Sequence, residues 1–314
     1  MRAVAVRQFR SRPELMELSP PTPERGELLV RVSAAGVNPY DLKIAEGALD
    51  GVMPHRFPLV LGIDGAGKVA AVGPGVTRFS VGDRVFGQFL HAPVGTGTYC
   101  ELTTVPETIG VSKIPPRLGD AEAAALPTAG MTALYAIESL GLAKGENLFI
   151  VGASGGVGSF AVQLAASRGI RVVAVARGAS VDYVRGLGAL EVLPRELPDS
   201  LDRIRSGHPS GVDALLDLAS DARRIGTFAR LVRDGGVVAS TTGAAPAEGP
   251  SGRSVRTLNV NLTASSSLLD RLLNEVAQGH VRVPIGSTLP LAEASVAWES
   301  IRSGASQGKT VLRI

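Results

Sequence analysis

The chain has 314 residues, 45% of them hydrophobic and 19% charged, with a formal net charge of +3. That length accommodates two domains with a sizeable core, and that balance is globular rather than disordered. The charge is too mild, and the Lys and Arg residues too scattered, to argue for a nucleic-acid partner.

Residues 1–118 read as a β-rich domain. Candidate strands are Arg2–Gln8, Glu27–Ala35, Gly65–Val72, Arg84–Phe86 and Tyr99–Val105, separated by turn chemistry such as Pro20-Pro-Thr-Pro23 and Gly73-Pro-Gly75. Short strands at this spacing suggest a compact barrel-like unit. Asp120–Leu140 reads as helical, with Asp120 as N-cap and Glu122 in the first turn. Pro127 cannot sit inside a helix without breaking it, so two helices are expected, with Thr128 opening the second.

Residues 119–262 are expected to form the second domain. Its strands are Leu148–Val151, Arg171–Val175, Glu191–Leu193, Val212–Leu216, Gly236–Ser240 and Thr257–Val260. Its helices are Val157–Ser167, Val181–Leu187, Leu201–Ser206 and Asp221–Leu231, although the crossover 194–211 has weak helical character. Strand and helix in alternation predict an α/β fold with a doubly wound, parallel, six-stranded sheet. Residues 263–314 then give helices Ser267–Gln278 and Leu291–Ser303 and a strand, Lys309–Ile314, expected to rejoin the first domain.

The most informative stretch is Gly152-Ala-Ser154-Gly155-Gly156-Val157-Gly158, between an apolar strand and an Ala-rich helix. It matches the dinucleotide fingerprint G-x-G-x-x-G with Ala153 in the first glycine's place. Glycines let backbone N–H groups approach a ligand, and a helix N-terminus adds orphan donors and partial positive charge. A phosphate is the natural guest, held by Ser154, Gly155, Gly156 and Val157. An NAD-specific fold has Asp or Glu about 20 residues beyond this turn, for the ribose hydroxyl. Here the second strand ends Ala174-Val-Ala-Arg177, without a carboxylate. Arg177 can instead form charge-assisted bonds to a 2′-phosphate, with Ser180 and Tyr183 as further donors, so NADPH is expected over NADH. The alternative is that Arg177 is a surface residue.

Several motifs recur in a fixed order. They include Ala35-Gly-Val-Asn38-Pro-Tyr-Asp41-Leu-Lys43, Pro58-Leu-Val-Leu-Gly62-Ile-Asp64-Gly-Ala-Gly67, Gly82-Asp-Arg-Val-Phe-Gly87 and Gly97-Thr-Tyr-Cys-Glu101. Ala124-Ala-Leu-Pro127-Thr-Ala-Gly130, the glycine turn and Gly308-Lys-Thr-Val-Leu312 follow. Together, almost end to end, the chain resembles the medium-chain dehydrogenase/reductase superfamily, and within it the zinc-independent quinone oxidoreductases. The resemblance implies a GroES-like β domain split between the two chain ends, around a Rossmann domain, with the cofactor in the cleft between them. It implies that Asn38 and Thr128 lie on the nicotinamide side, that Thr241 and Thr242 border the nicotinamide, and that Lys309 reaches the cleft. Asn38 is also readable as a turn residue before Pro39, and Lys309 as an ordinary exposed lysine. Asp64 is read as bonding backbone at a Gly-rich bend.

Zinc-dependent relatives carry Cys where this chain has Asn38, His-Glu where it has Ile63-Asp64, and a four-Cys lobe that has no counterpart here. One cysteine, Cys100, and four scattered histidines, His55, His91, His208 and His280, make no ligand set, so no metal is expected. Without a Lewis acid, alcohol oxidation lacks its usual driving device. Quinones and α,β-unsaturated carbonyls are already electrophilic, so a quinone or a related enone is the expected acceptor. Relatives often place a proton-donating Tyr where this chain has Leu49. Tyr40, nearby in sequence, is the remaining catalytic phenol beside Asn38, or else a core residue.

Rival readings are an enoyl or alkenal reductase on the same scaffold, and a non-enzymatic NADPH-binding protein. Cys100 reads as a small buried hydrophobe in a strand, and Ala294, Trp298 and Ile301 as core. A homodimer through the exposed edge strand Thr257–Val260 is expected. The start of the chain is too soon interrupted for a signal peptide, and no run reaches about 18 apolar residues. A cytoplasmic protein with no membrane partner is the expectation. Loops 47–57, 88–97 and 241–254 should shape the substrate pocket, with 248–253 mobile.

Overall fold

In chain order, the computed structural model begins with strands β1 (Arg2–Val6), β2 (Glu14–Glu17) and β3 (Glu27–Gly36), then helix α1 (Pro39–Ala45). Strands β4 (His55–Val60), β5 (Asp64–Val72), β6 (Arg84–Gln88), β7 (Val94–Thr96), β8 (Leu102–Pro106) and β9 (Val111–Lys113) follow. Helices α2 (Asp120–Ala125) and α3 (Pro127–Leu140) come next. The alternating part runs β10 (Asn147–Val151), α4 (Gly156–Ser167), β11 (Arg171–Ala176), α5 (Val181–Gly186), β12 (Glu191–Pro194), α6 (Ser200–Gly207), β13 (Val212–Asp217), α7 (Ala222–Ala229), β14 (Val232–Ser240) and β15 (Arg256–Asn259). The chain closes with α8 (Ser266–Ala277), β16 (Ile285–Pro290), α9 (Ala294–Arg302) and β17 (Lys309–Arg313). Described residues are 1–194, 200–250 and 252–314, so part of the expected 194–211 crossover and of the 248–253 loop lies outside them.

Two units emerge. One comprises Met1–Met131, Ala264–Asn274 and Val283–Ile314; the other comprises Thr132–Thr263 and Glu275–Arg282. The first holds a four-stranded sheet, β2-β1-β4-β7, and a larger one, β16-β17-β3-β5-β6-β9, with β8 also paired to β3. The closing strand β17 does rejoin this unit, antiparallel to β3, with Val311 opposite Gly36. Residues 119–131, expected with the cofactor domain, pack here instead. The reason is the apolar face of α2, whose Ala123, Ala124 and Ala125 are fully buried and which packs on β3 and β5. One core cluster joins Val4, Leu42, Leu59, Tyr99, Trp298 and Leu312; Ala294 belongs to it and Ile301 packs against it, as their helical spacing implies.

The second unit is a parallel six-stranded sheet in the order β12-β11-β10-β13-β14-β15. Its strands are near-continuous apolar runs because both faces are covered. Phe149, Val173, Leu215 and Val238 share a core with Ile225 and Ala229 of α7.

Several local expectations need correction. The N-cap of α2 is Gly119, not Asp120, because the Asp120 carboxylate is taken by Arg84 and the Ser33 hydroxyl. Glu122 accepts the Gly119 N–H at 2.9 Å. Strand β8 starts at Leu102; Cys100 makes only an isolated bridge to Ala3. Its Sγ lies between the Gly97 and Leu102 carbonyls, it is 1% exposed, and burial pushes the thiol up to about 12. The expected helix Leu291–Ser303 begins with a tighter turn over Leu291–Glu293. Among the described residues, no helix is long and apolar enough to cross a membrane.

Candidate functional site

A buried polar cluster occupies the first unit. Asn38 caps α1 in an extended conformation, and Pro39 at the next position needs no donor. Asp41, one turn on, accepts the Asn38 N–H at 2.8 Å, the Ile63 N–H at 3.1 Å and the Tyr99 hydroxyl at 2.7 Å. It thereby ties the helix start to the β4–β5 connection and to Tyr99. Burial raises its pKa to about 7, against the pull of the Tyr99 and Asn38 hydrogen bonds. The same burial holds the Tyr99 phenol well above its usual value.

Lys309 is not an exposed lysine. It is 2% exposed, and its Nζ donates to Asn38 Oδ1 at 2.6 Å and to the Val37 carbonyl at 2.9 Å. The β3–β17 register explains this. Val311 faces Gly36, and the Val37 N–H donates to the Thr310 carbonyl, so the same antiparallel alignment brings Lys309 opposite Asn38. Asp64 Oδ2 lies 3.9 Å from the ammonium. Burial lowers the Lys309 pKa and raises that of Asp64, and the attraction between them opposes both shifts.

Asp64 bonds one backbone N–H, as expected of it, but mostly side chains. It accepts from Asn38 Nδ2 at 2.9 Å, from the Thr128 hydroxyl at 2.7 Å and from the Thr128 N–H at 3.1 Å. Gln88 Nε2 donates to Thr128 Oγ1 at 2.7 Å. The polarity of the chain is therefore set: Lys309 donates to Asn38, Asn38 to Asp64, and on the other side Gln88 to Thr128 and Thr128 to Asp64. A carboxylate that only accepts fixes the orientation of both amides. Asn38 is 3% exposed with both ends of its amide engaged, so the half-buried Thr128 and Gln88 form the outer end of the network.

Tyr40 stands apart from these bonds. It is half-buried, packs against the core that holds Leu42 and Ile44, and burial raises its pKa. Asp41, Tyr99 and Gln88 were missed from sequence. The Asn-Pro-x-Asp spacing could have found Asp41, as an acid three residues after a helix cap. Nothing local points to Tyr99 or Gln88.

In the second unit, the sheet order reverses direction at β10, the topological switch point where open α/β sheets bind ligands. The glycine turn sits at the C-terminal end of that strand. Gly152 has φ +85°, a left-handed value that disfavours a side chain. A Cβ on Gly158 would run into the Gly152 carbonyl, so the turn and α4 meet backbone to backbone. Gly155 is the N-cap of α4 and no side chain caps the helix. The first-turn N–H groups around Ser154, Gly155, Gly156 and Val157, all half-buried, therefore suit an anion.

Arg177 follows the end of β11, the strand beside β10, and is half-buried; Ser180 is 7% exposed. The Tyr183 hydroxyl donates to Ser159 Oγ at 2.9 Å, and Ser159 Oγ donates to the Gly155 carbonyl at 2.8 Å, which links α5 to the glycine turn. Thr241 and Thr242 follow β14. The Thr241 N–H donates to the Asp217 carbonyl at 3.0 Å, and the Thr242 hydroxyl donates to the Ser220 carbonyl at 2.9 Å. Thr242 thus braces the loop after β13. Asp217 Oδ1 accepts from the Ala219 and Ser220 N–H groups, while its buried Oδ2 has no partner among the described residues. The expected residues thus form two groups: Asn38, Thr128 and Lys309 in one unit, and the glycine turn, Arg177, Ser180, Tyr183, Thr241 and Thr242 at strand ends of the other.

Residues 24–116 match the alcohol dehydrogenase GroES-like domain, and residues 187–312 match the zinc-binding dehydrogenase family. A chloroplast envelope quinone oxidoreductase homolog from Arabidopsis thaliana is 31% identical, over 95% of this chain and 93% of its own. The solved quinone oxidoreductase from Coxiella burnetii superposes with a TM-score of 0.87 at 26% identity, covering 100% of this chain and 99% of that one. A mycobacterial protein solved in complex with NADPH gives a TM-score of 0.87 at 26% identity, covering 100% of both chains. With its GroES-like unit and its parallel six-stranded Rossmann sheet, the chain belongs to the quinone-oxidoreductase-like branch of the medium-chain dehydrogenase/reductase superfamily and is an oxidoreductase enzyme that uses a nicotinamide cofactor.

Proposed function

We propose that the protein is an NADPH-dependent, zinc-independent reductase that passes a hydride to a quinone or a related α,β-unsaturated carbonyl. The observation that carries this reading is the Lys309–Asn38–Asp64 chain of bonds. An amide engaged at both ends, beside a buried ammonium, does not fit a zinc ion, which needs three or four N, S or O ligands. Among the described residues, no three His, Cys, Asp or Glu side chains are arranged to hold a metal. An acceptor that is electrophilic on its own suits this site.

The glycine turn fits a pyrophosphate, through its uncapped helix and its close backbone approach. Arg177 would bind the 2′-phosphate, with Ser180 and Tyr183 alongside. Thr128, Thr241 and Thr242 would border the nicotinamide, and Lys309 would act through Asn38 rather than by touching the cofactor. When bound, the nicotinamide supplies the hydride. Tyr40 is the proposed phenol for protonation, but burial makes it a weaker acid than usual. That favours quinones, whose reduced form can take protons from solvent, over enones that need an enzymic donor.

Strand β15 ends the sheet, and an open edge supports a homodimer formed there. A cytoplasmic location is part of the same reading. The test is purified protein with NADPH and a panel of quinones, 2-enals and enoyl thioesters. NADPH-driven quinone turnover supports the proposal. Turnover of enals alone would favour the enoyl reductase reading, tight NADPH binding without turnover a sensing role, and stoichiometric zinc would overturn the central claim.

A further inference from the structure

We propose that the first unit carries a second site, an anion-binding groove that takes a nucleotide polyphosphate. The groove has a volume of about 1000 Å³ and is bounded by the 10–13 turn, α1 and α9. That is the size of a small-molecule site rather than of a peptide-binding face. Four cations line it, Arg10, Arg12, Lys43 and Arg302, against two carboxylates, Glu46 and Glu299. Arg302 is engaged with both carboxylates, at 3.2 Å from Glu46 and 3.9 Å from Glu299. Among the described residues, Arg10, Arg12 and Lys43 have no acidic partner, and with four cations against two carboxylates the groove keeps an excess of two positive charges.

The backbone adds a second observation. Arg10 has φ 63°, the one non-glycine residue with positive φ among those described. In that region Cβ crowds the following carbonyl, and glycine would suit the turn better. The turn is pinned all the same. Arg10 N–H donates to the Ala45 carbonyl of α1 at 2.9 Å, and the Ser11 hydroxyl donates to the Gln8 carbonyl at 2.8 Å. The Arg10 backbone is thus held at the groove wall in a conformation that costs energy. Two arginines and a lysine match adjacent phosphates, since each guanidinium can bond phosphate oxygens through two N–H groups. Val296, 53% exposed, supplies an apolar contact for a base, over the buried Leu42 and Trp298. The groove shares no residue with the glycine turn and does not rest on the proposed reduction.

The experiment is calorimetric titration of the full chain with ATP, inorganic pyrophosphate and an acidic peptide, with and without saturating NADPH. ATP and pyrophosphate should bind saturably in both conditions, and more weakly as salt is raised. The triple variant R10A/R12A/K43A should weaken both at least tenfold, and V296E, a single change on the opposite wall, should do the same for ATP. All four positions are exposed, so circular dichroism should report a native fold. Unchanged ATP affinity in the triple variant, displacement of ATP by NADPH, or binding of the peptide alone would overturn the proposal, as would no binding at all. A protein that failed to bind NADPH would sink the proposed function and leave the ATP result readable, because the triple variant assigns it to the groove.

Discussion

Lys309 Nζ and Asn38 Oδ1 lie 2.6 Å apart, both buried, and join the last strand of the chain to the cap of its first helix. The charge that Lys309 compensates is the buried Asp64 carboxylate, 3.9 Å from Nζ, and removing one member of a buried ion pair leaves the other uncompensated in low dielectric. Lys309→Met should therefore cost about 3–5 kcal/mol in urea unfolding. The double variant Lys309→Met/Asp64→Asn should recover part of that loss, because the stranded carboxylate charge is gone. A double variant as unstable as the sum of the singles would show that the two charges are not coupled.

Gly158→Ala tests the glycine turn. The added methyl meets the Gly152 carbonyl, a backbone atom that cannot rotate away. Overpacking of this kind costs about 1–3 kcal/mol. It should also displace α4 and weaken nicotinamide-cofactor binding, measurable by fluorescence titration. Wild-type affinity and stability together would refute the close approach.

Arg177→Asp addresses cofactor choice. A charge-assisted bond to the 2′-phosphate is worth about 1.5–3 kcal/mol. The ratio of NADPH to NADH affinity should fall on the order of 10- to 100-fold. An unchanged ratio would remove Arg177 from the phosphate site.

Asp41 predicts a pH dependence. Its carboxyl is raised to about 7 in the folded chain, against about 3.9 when unfolded. Between those values the folded state holds a proton that the unfolded state has lost. Stability should then fall as pH rises through that window and level off above it, by up to about 4 kcal/mol. Asp41→Asn should be less stable overall, since an amide cannot accept all of the Asn38, Ile63 and Tyr99 donors, yet its stability should slope less with pH. Parallel slopes in the two proteins would exclude Asp41 as the titrating group.

Cys100 should be inert. With its thiol pushed up to about 12 and 1% exposed, native protein at pH 8 should resist maleimide, and unfolded protein should react at once. Rapid native labelling would contradict this burial.

The second unit was the more legible from sequence, because its signals are local. An apolar strand, a glycine cluster and an Ala-rich helix are contiguous in sequence. The first unit was less so. Strands β2, β4, β7, β9 and β16 are short or partly exposed, and α1 has seven residues, so their periodicity is weak. Asp120 looked like a cap, but Arg84, on a strand 36 residues earlier, captured its carboxylate.

The sequence by itself determined the strand–turn–helix at residues 147–167, the absence of an acid at Arg177 and the lone cysteine, because each is settled by residue identity within one short stretch. Only the tertiary structure decided the fate of Lys309. A lysine near a chain end is exposed unless a partner is brought to it, and its partner is 271 residues away. The antiparallel pairing of β17 with β3 sets that alignment, and the polar network from Lys309 through Asn38, Asp64 and Thr128 to Gln88 follows from it.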